Sequence, residues 1–401
     1  MLPTTLRDEA TGTLRHTMRD GVVQDWDCLE ALLHRTFYGR LGWEAGAEEG
    51  AVLFSEQVLT PRRDRERLAA LCFERFGLAG MFVAEAPVLA LYSVGRSSGL
   101  VADVGHDGAS VAAVVDGAAV AAASRRVTSG GGGGGEPSTS SSSSSSSSSL
   151  SAPLGGLAAE RVLRARVAAR VGDERAGAIP EDALRAAKHA VCRVAASAAE
   201  AAGSRGAAAA AAAAAASAAA AGGTGAPSTA PSKHVLPDGT ELEVTASDGA
   251  AAGEALVSPQ FFLPPSGGDG SGGASGGSSA DGGRQRQHPS LAELLSLALS
   301  SVPDANSRKL ASEGLLVCGG GSNAPGLGAR ILAEGGGALP PSHPAPPPLL
   351  SVPDYVPASM AASAAWAGGA ILARVVFQQQ QHVSRAEYDE FGPTVVHRKS
   401  A

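Results

Sequence analysis

Apolar positions along the chain switch repeatedly between helical and strand spacing. In Asp25–Tyr38, Trp26, Leu29, Leu32, Leu33 and Phe37 recur at the helical period, and Asp25 stands where an N-cap belongs. Val52–Leu59 reads as a strand. Thr60-Pro61 then opens a helix to about Phe76, with Pro61 at its first position and Leu68, Leu71, Cys72 and Phe76 as its apolar stripe. Phe82–Val83 is short and extended, and Ala84–Val94 is a compact apolar helix ending near Gly95. Gly99–Gly117 predicts a β-hairpin: a strand ending at Asp103, a turn at Gly105-His106-Asp107-Gly108, and a second strand over Ala109–Val115.

The pattern stops after Arg125-Arg126-Val127 and returns in pieces. Leu154–Val171 and Pro180–Glu200 are helical, the second with Leu184, Ala187, Val191 and Val194 on one side. Val235–Val244 predicts a hairpin around Asp238-Gly239. A helix over Leu291–Leu299 precedes a strand at Leu315–Cys318, and the glycine-rich Gly319–Gly328 leads into a helix at Ala329–Ala333. A Pro-rich connection, Leu339–Pro357, leads to a small-residue helix around Trp366–Val376, and Ser384–Ala401 reads as a polar tail. Alternation of helices and strands makes the fold class α/β. The Gly/Ser tract after Val127, the Ala-rich tract Gly203–Ser232 and the Pro264–His288 linker have the composition of disordered chain. They interrupt that alternation as insertions into loops of one fold.

Composition reduces the core that 401 residues would otherwise promise. Aromatics are 4% of the chain, and alanine inflates the 44% hydrophobic content while adding little apolar area. The net charge of −7 and the mixed signs of Pro61–Arg67 leave no basic patch for nucleic acid. Cys28, Cys72, Cys192 and Cys318 form no CxxC pair, which argues against zinc and a disulfide framework and suits a reducing compartment. No leader pattern opens the chain and no convincing membrane span appears, so a soluble intracellular protein is expected.

Two stretches carry candidate chemistry. In the hairpin, Asp103 ends a strand beside Gly105, an arrangement that can hold a phosphate and its magnesium, and equally an ordinary turn. In Leu315–Arg330 a buried strand runs into Gly319, Gly320 and Gly321 just before a helix, so backbone amides can face an anionic or polar ligand. His106 reads as a polar loop residue, since no second His or Cys lies at ligand spacing. Cys318 reads as a buried strand residue, and Trp366 as part of a helix packed closely on the core.

The order of these residues is more specific than their chemistry. DWDCLEALLHRTFYGRLGWEAG, LTPRRDRERLAALCFERFG, FVAEAPVLALYSVGRSSGLVADVGHDGASVAAVVDGAAV, VLPDGTELEV with GEALVSPQFF, LLVCGGGSNAPG, and AWAGGAILARVVFQQQQHVSRAEYDEFGPTVVHRKSA follow one another in the order of the actin superfamily. The chain resembles that superfamily, and within it the plant-type actin-related proteins most closely. The resemblance implies a two-lobed, four-subdomain fold with ATP or ADP and Mg2+ in the cleft. Asp103 and Gly105 would belong to a phosphate loop, with Asp103 reaching the metal through water. Gly319–Gly321 would be the adenosine turn and Ala84–Val94 the hinge helix. Arg185 and Lys188 fall where the family places basic residues near the nucleotide, and His189 replaces the acid that meets the ribose.

On the same resemblance, residues 1–93 belong to subdomains 1 and 2, 94–126 to the first half of subdomain 3, and 154–202 and 233–263 to subdomain 4. Residues 289–357 would complete subdomain 3 and 358–401 would return to subdomain 1, with 127–153, 203–232 and 264–288 as insertions. Several departures bear on function. Nothing before Asp25 resembles the family's first phosphate loop or its filament-pairing loop. Ala86 stands where a glutamine orients water, Ser110 where a histidine relays protons, and Ala324 and Ala362 where an aromatic and a lysine flank the adenine. The resemblance therefore implies a non-catalytic, non-filament subunit of a nuclear chromatin-remodelling complex, with the cytoplasm as a second location. Its partners would be a helix of the remodeller motor and another actin-family protein, with no direct nucleic acid and no membrane. An ATP-hydrolysing cytoskeletal protein and a truncated product without a stable fold are the alternatives.

Overall fold

The computed structural model describes residues 5–7, 14–19, 21–44, 50–128, 149–151, 154–177, 179–195, 197, 232–235, 241–258, 289–338, 347–353 and 357–399. The homopolymer runs and most of the three linkers fall outside these residues. Two short antiparallel pairs come first, β1 (Thr5–Arg7) with β2 (Leu14–His16) and β3 (Met18–Arg19) with β4 (Val22–Val23). Helix α1 (Trp26–His34) starts at Asp25, whose side chain accepts the Cys28 N–H at 3.0 Å, and runs on into a π-helical turn, Arg35–Arg40. Strand β5 (Ala51–Glu56) is followed by α2 (Arg62–Ala70), with Pro61 one residue ahead of its start and a π-helical turn, Leu71–Arg75, at its end. Strand β6 (Gly80–Glu85) passes directly into α3 (Ala86–Ser93).

The hairpin forms as the residue pattern predicts, with β7 (Gly99–Val104) and β8 (Gly108–Val115) antiparallel and Asp103 opposite Ser110. Short β9 (Ala118–Ala119), β10 (Arg125–Thr128) and β11 (Ser149–Ser151) follow, then helices α4 (Gly156–Val171), α5 (Asp173–Gly177) and α6 (Glu181–Val191). Strands β12 (Ser232–Val235) and β13 (Glu241–Val244) pair antiparallel; the predicted turn at Asp238-Gly239 lies outside the described residues. Helix α7 (Ala246–Glu254), α8 (Leu291–Ser300) and α9 (Ala305–Ala311) precede β14 (Leu315–Cys318) and α10 (Leu327–Ala338). The chain closes with α11 (Ala364–Gln378), β15 (Val383–Ser384), α12 (Arg385–Phe391) and α13 (Val396–Lys399).

Two sheets organise these elements. One has the order β15-β6-β5, with β5 and β6 parallel; the other runs β11-β10-β8-β7-β14, with β9 on β8 and β14 parallel to β7. The first sheet packs Leu33, Phe37, Cys72, Phe73, Met81, Tyr388 and Val396 into one core. The second packs Val104, Val111, Leu154, Leu163, Leu184, Leu294 and Ile331 into a larger one. Between them α3 connects β6 to β7, and α11 lies against it so closely that a β-carbon on Gly368 would overlap the Leu89 carbonyl. Ser359–Gln378, the stretch among the described residues long and apolar enough to cross a membrane, thus includes a helix packed on the α/β core.

Three expectations need correction and one is refined. The helix predicted over Pro180–Glu200 ends at Val191, because Cys192 is extended and the chain then donates backbone N–H groups to Gly249 at 3.3 Å and Pro325 at 2.8 Å. The helix that carries Trp366 packs closely on the core as expected, but the Trp366 side chain itself is 59% exposed, since the small residues Gly368 and Gly369 hold the opposite face of α11 against the core. The tail expected to be only polar carries a helix, which Ser384 and Glu387 start with a reciprocal capping box. Ser232, assigned to the Ala-rich insertion, is the first residue of a strand.

Candidate functional site

Strands β7 and β14 run side by side, with Asp103 in register with Cys318. Because they are parallel, the turns that follow both leave the same end of the sheet, the usual place for a ligand in an α/β fold. Gly319 takes φ +83°, in the left-handed region, and an added β-carbon there would overlap Asp103 Oδ1. The turn after β7 closes with the Gly105 N–H donating to the Gly108 carbonyl at 2.8 Å. Helix α4 is tied to that turn: the Gly156 and Leu157 N–H groups donate to the Gly105 and His106 carbonyls at 2.9 and 2.7 Å. Helix α6 packs on α4 and brings Arg185 and Lys188 to the same side.

These elements enclose a cleft of about 960 Å3 lined by Gly105, His106, Glu160, Arg185, Lys188, His189, Gly320, Gly321 and Ala324, among others. Five of the seven residues singled out from the sequence thus share one cleft. Gly319 and Asp103 do not line it. Asp103 is half-buried and accepts a hydrogen bond from the Gln57 side chain; burial pushes its carboxyl above the usual range, with Gln57 acting in the opposite sense. Gln57, just past β5, attracted no attention in the sequence, because a single glutamine after a strand has no local pattern that announces a distant partner.

Charge within the cleft converges on one buried acid, which sequence reading also missed. Glu160 Oε1 lies 2.8 Å from Lys188 Nζ, 3.6 Å from Arg185 Nε and 3.7 Å from His106 Nδ1. Lys188 is itself buried, and Nζ also lies 3.5 Å from the Gly156 carbonyl. Both imidazoles beside this group are held below their ordinary value. For His106 burial is the main cause, opposed by Glu160 and assisted by Lys188; for His189 burial comes first and Lys188 next. The signal that could have flagged Glu160 is a lone acid on the inward face of a helix between Ala159 and Leu163.

A magnesium nucleotide fits this geometry by halves. The glycine turns and the volume of the cleft suit a base and sugar, with Gly105, Gly320 and Gly321 offering backbone and Arg185 and Lys188 at the wall. The metal half would rest on Asp103, which accepts from Gln57 and is not among the residues that line the cleft. Ala86 is the buried first residue of α3 and offers only a methyl group, and Ser110 is buried in β8. Ala324 lines the cleft, whereas Ala362 sits in a 3-10 turn, Ala358–Ser363, off the lining.

Comparison with known proteins agrees with this architecture. The actin family model matches residues 4–401, reaching well before Asp25, where the residue pattern alone had shown nothing. Actin-related protein 7 of Arabidopsis thaliana is 30% identical over 397 residues, which cover 99% of this chain and 87% of that protein. Actin-related protein 7 of Oryza sativa subsp. indica is 31% identical over 382 residues, covering 94% and 84%. Actin-like protein 7B of Mus musculus is 38% identical over a shorter stretch of 112 residues, covering 28% and 26%. A match over nearly the whole length, on a fold that sets two glycine turns at one end of a shared sheet, means that the chain belongs to the actin family.

Proposed function

We propose that this actin-family chain is a non-catalytic structural subunit of a nuclear chromatin-remodelling assembly, with nucleotide binding that is weak or vestigial. One observation carries the non-catalytic part: Ala86 and Ser110 stand where water would have to be oriented and its proton relayed, and neither supplies the glutamine or histidine for that work. Asp103, bonded to Gln57 off the cleft lining, supports the same reading. The assembly part draws on the similarity to proteins named actin-related protein 7. Its partners on this reading are a long helix of a remodeller motor and a second actin-family protein. It places the chain in the nucleus and gives it no filament, no membrane and no direct contact with nucleic acid.

Two measurements test the proposal. Purified chain should show no ATP turnover above background; turnover abolished by Asp103→Ala would overturn the non-catalytic reading and favour an ATP-hydrolysing cytoskeletal protein. Tagged chain recovered from nuclear extract should bring a remodeller motor subunit with it. Recovery without one would overturn the assembly reading.

A further inference from the structure

We infer that the turn Gln57–Thr60 is a clasp that holds the two sheets together through the chain's own contacts, with the Gln57 amide as its main grip. Along the chain, the sheets are joined by α3 and by the segment that returns from β14 to α11, an arrangement about which two halves can hinge. Asp103 and Arg126 both stand opposite Ser110, on the strands either side of β8, so the three side chains form one row on one face of the larger sheet. The turn after β5, in the smaller sheet, reaches that row at two points. Gln57 donates its side-chain amide to Asp103, and the Val58 carbonyl accepts from Arg126 Nη1 at 3.3 Å.

The turn that makes both contacts is held in an unfavourable conformation. Leu59 has φ +65°, in a region that L side chains rarely adopt, and the Thr60 hydroxyl fixes the turn by donating to the Gln57 carbonyl at 2.7 Å. Strain of this kind persists only where the surroundings hold it. Val58, fully buried, supplies part of that hold. Gly21, in the turn between β3 and β4, closes a third side: a β-carbon there would come within 2.7 Å of Gln57 Cγ and 3.3 Å of Arg126 Nη1. A glutamine suits the place, because it reaches across as a donor and brings no charge of its own to bury. Neither Gln57 nor Asp103 lines the cleft beside α4 and α6, so the clasp stands apart from whatever that cleft binds.

The distance between two spin labels on the full chain tests this. Arg63 on α2 and Asp182 on α6 are 88% and 89% exposed and belong to helices packed on opposite sheets. Each can be replaced by a labelled cysteine, since the native Cys28, Cys72, Cys192 and Cys318 are buried. In nucleotide-free buffer with EDTA, pulsed electron resonance should give one narrow distance for the doubly labelled chain. Gln57→Met keeps the side-chain length and removes the amide, so the population at longer distances should grow by about tenfold or more, as expected for a lost hydrogen bond to a carboxylate. Gln57→Asn, one methylene too short to reach Asp103, should give the same shift and serves where Gln57→Met does not fold. A broad distribution before any change at Gln57, or a distribution in either variant identical to that of the parent, would overturn the inference. Turnover and motor-subunit recovery do not enter these distances, so the proposed function can fail or stand independently.

Discussion

Gly319 sits so close to Asp103 that a β-carbon on the glycine would overlap Asp103 Oδ1 and come within 2.7 Å of the Val104 carbonyl. The backbone of one turn is thereby seated on the carboxylate of the other. Gly319→Ala introduces both this overlap and a strained φ of +83°, so a loss of about 2–4 kcal/mol is expected. Gly320→Ala is the control, since nothing among the described residues lies within 4 Å of its added β-carbon; its effect should stay within about 0.5 kcal/mol. Thermal or denaturant unfolding of the two variants against wild type measures the difference.

A second junction depends on buried charge. Arg330 and Glu254, each 3% exposed, meet with Nη1 3.1 Å from both carboxylate oxygens. Arg330 also donates to Glu334 at 2.6 Å and to the Ala195 carbonyl at 3.2 Å, so one guanidinium ties α7 and α10 to the segment that leaves α6. Arg330→Met leaves Glu254 buried without its counter-charge and should cost about 3–5 kcal/mol. Adding Glu254→Gln should recover part of that loss, which a double-mutant cycle in urea would read.

What could be read in the residues was what neighbours along the chain determine. The Asp25 cap, the two strands around Gly105–Gly108 and the strand Leu315–Cys318 all carry their pattern locally, and all form where expected. The end of α6 was not legible, because it is set by backbone bonds to Gly249 and Pro325, more than fifty residues away in sequence. Capping signals at Thr245/Asp248 and Ser384/Glu387 were there to be seen, but weak apolar periodicity after them hid α7 and α12. In the cleft, family order pointed to Arg185 and Lys188. Glu160, which lies within 4 Å of both, follows no motif and became visible only when α4 and α6 were packed together.

Gly368 gives a case in which packing reverses a propensity. In an isolated helix Gly→Ala is stabilising by about 0.5–1 kcal/mol. In α11 the new methyl would overlap the Leu89 carbonyl and come within 3.1 Å of the Ser93 nitrogen, forcing α11 away from α3. A loss of about 1–3 kcal/mol is therefore expected. Gly335→Ala in α10, where nothing among the described residues lies within 4 Å, should show the ordinary gain of about 0.5–1 kcal/mol. Opposite signs of the Tm shift for the two variants would establish the close approach of α3 and α11.

The pH dependence of stability has an unusual contributor in Glu85. It lies in register with Glu56 on the parallel pair β5 and β6, and burial, then Glu56, push its carboxyl up to about 7, against a smaller lowering by Arg65. Arg65 is itself paired with Glu56. A carboxyl whose folded value is raised holds its proton more tightly when folded than when unfolded. Its contribution is therefore fully present below the unfolded value of 4.5 and is lost as pH rises through about 7. Glu85→Gln stays neutral throughout, so its Tm should match wild type near pH 4 and exceed it at pH 8. Equal Tm differences at the two pH values would show that Glu85 titrates normally, and a lower Tm for the variant at pH 8 would mean that the ionised carboxylate is the form the fold prefers.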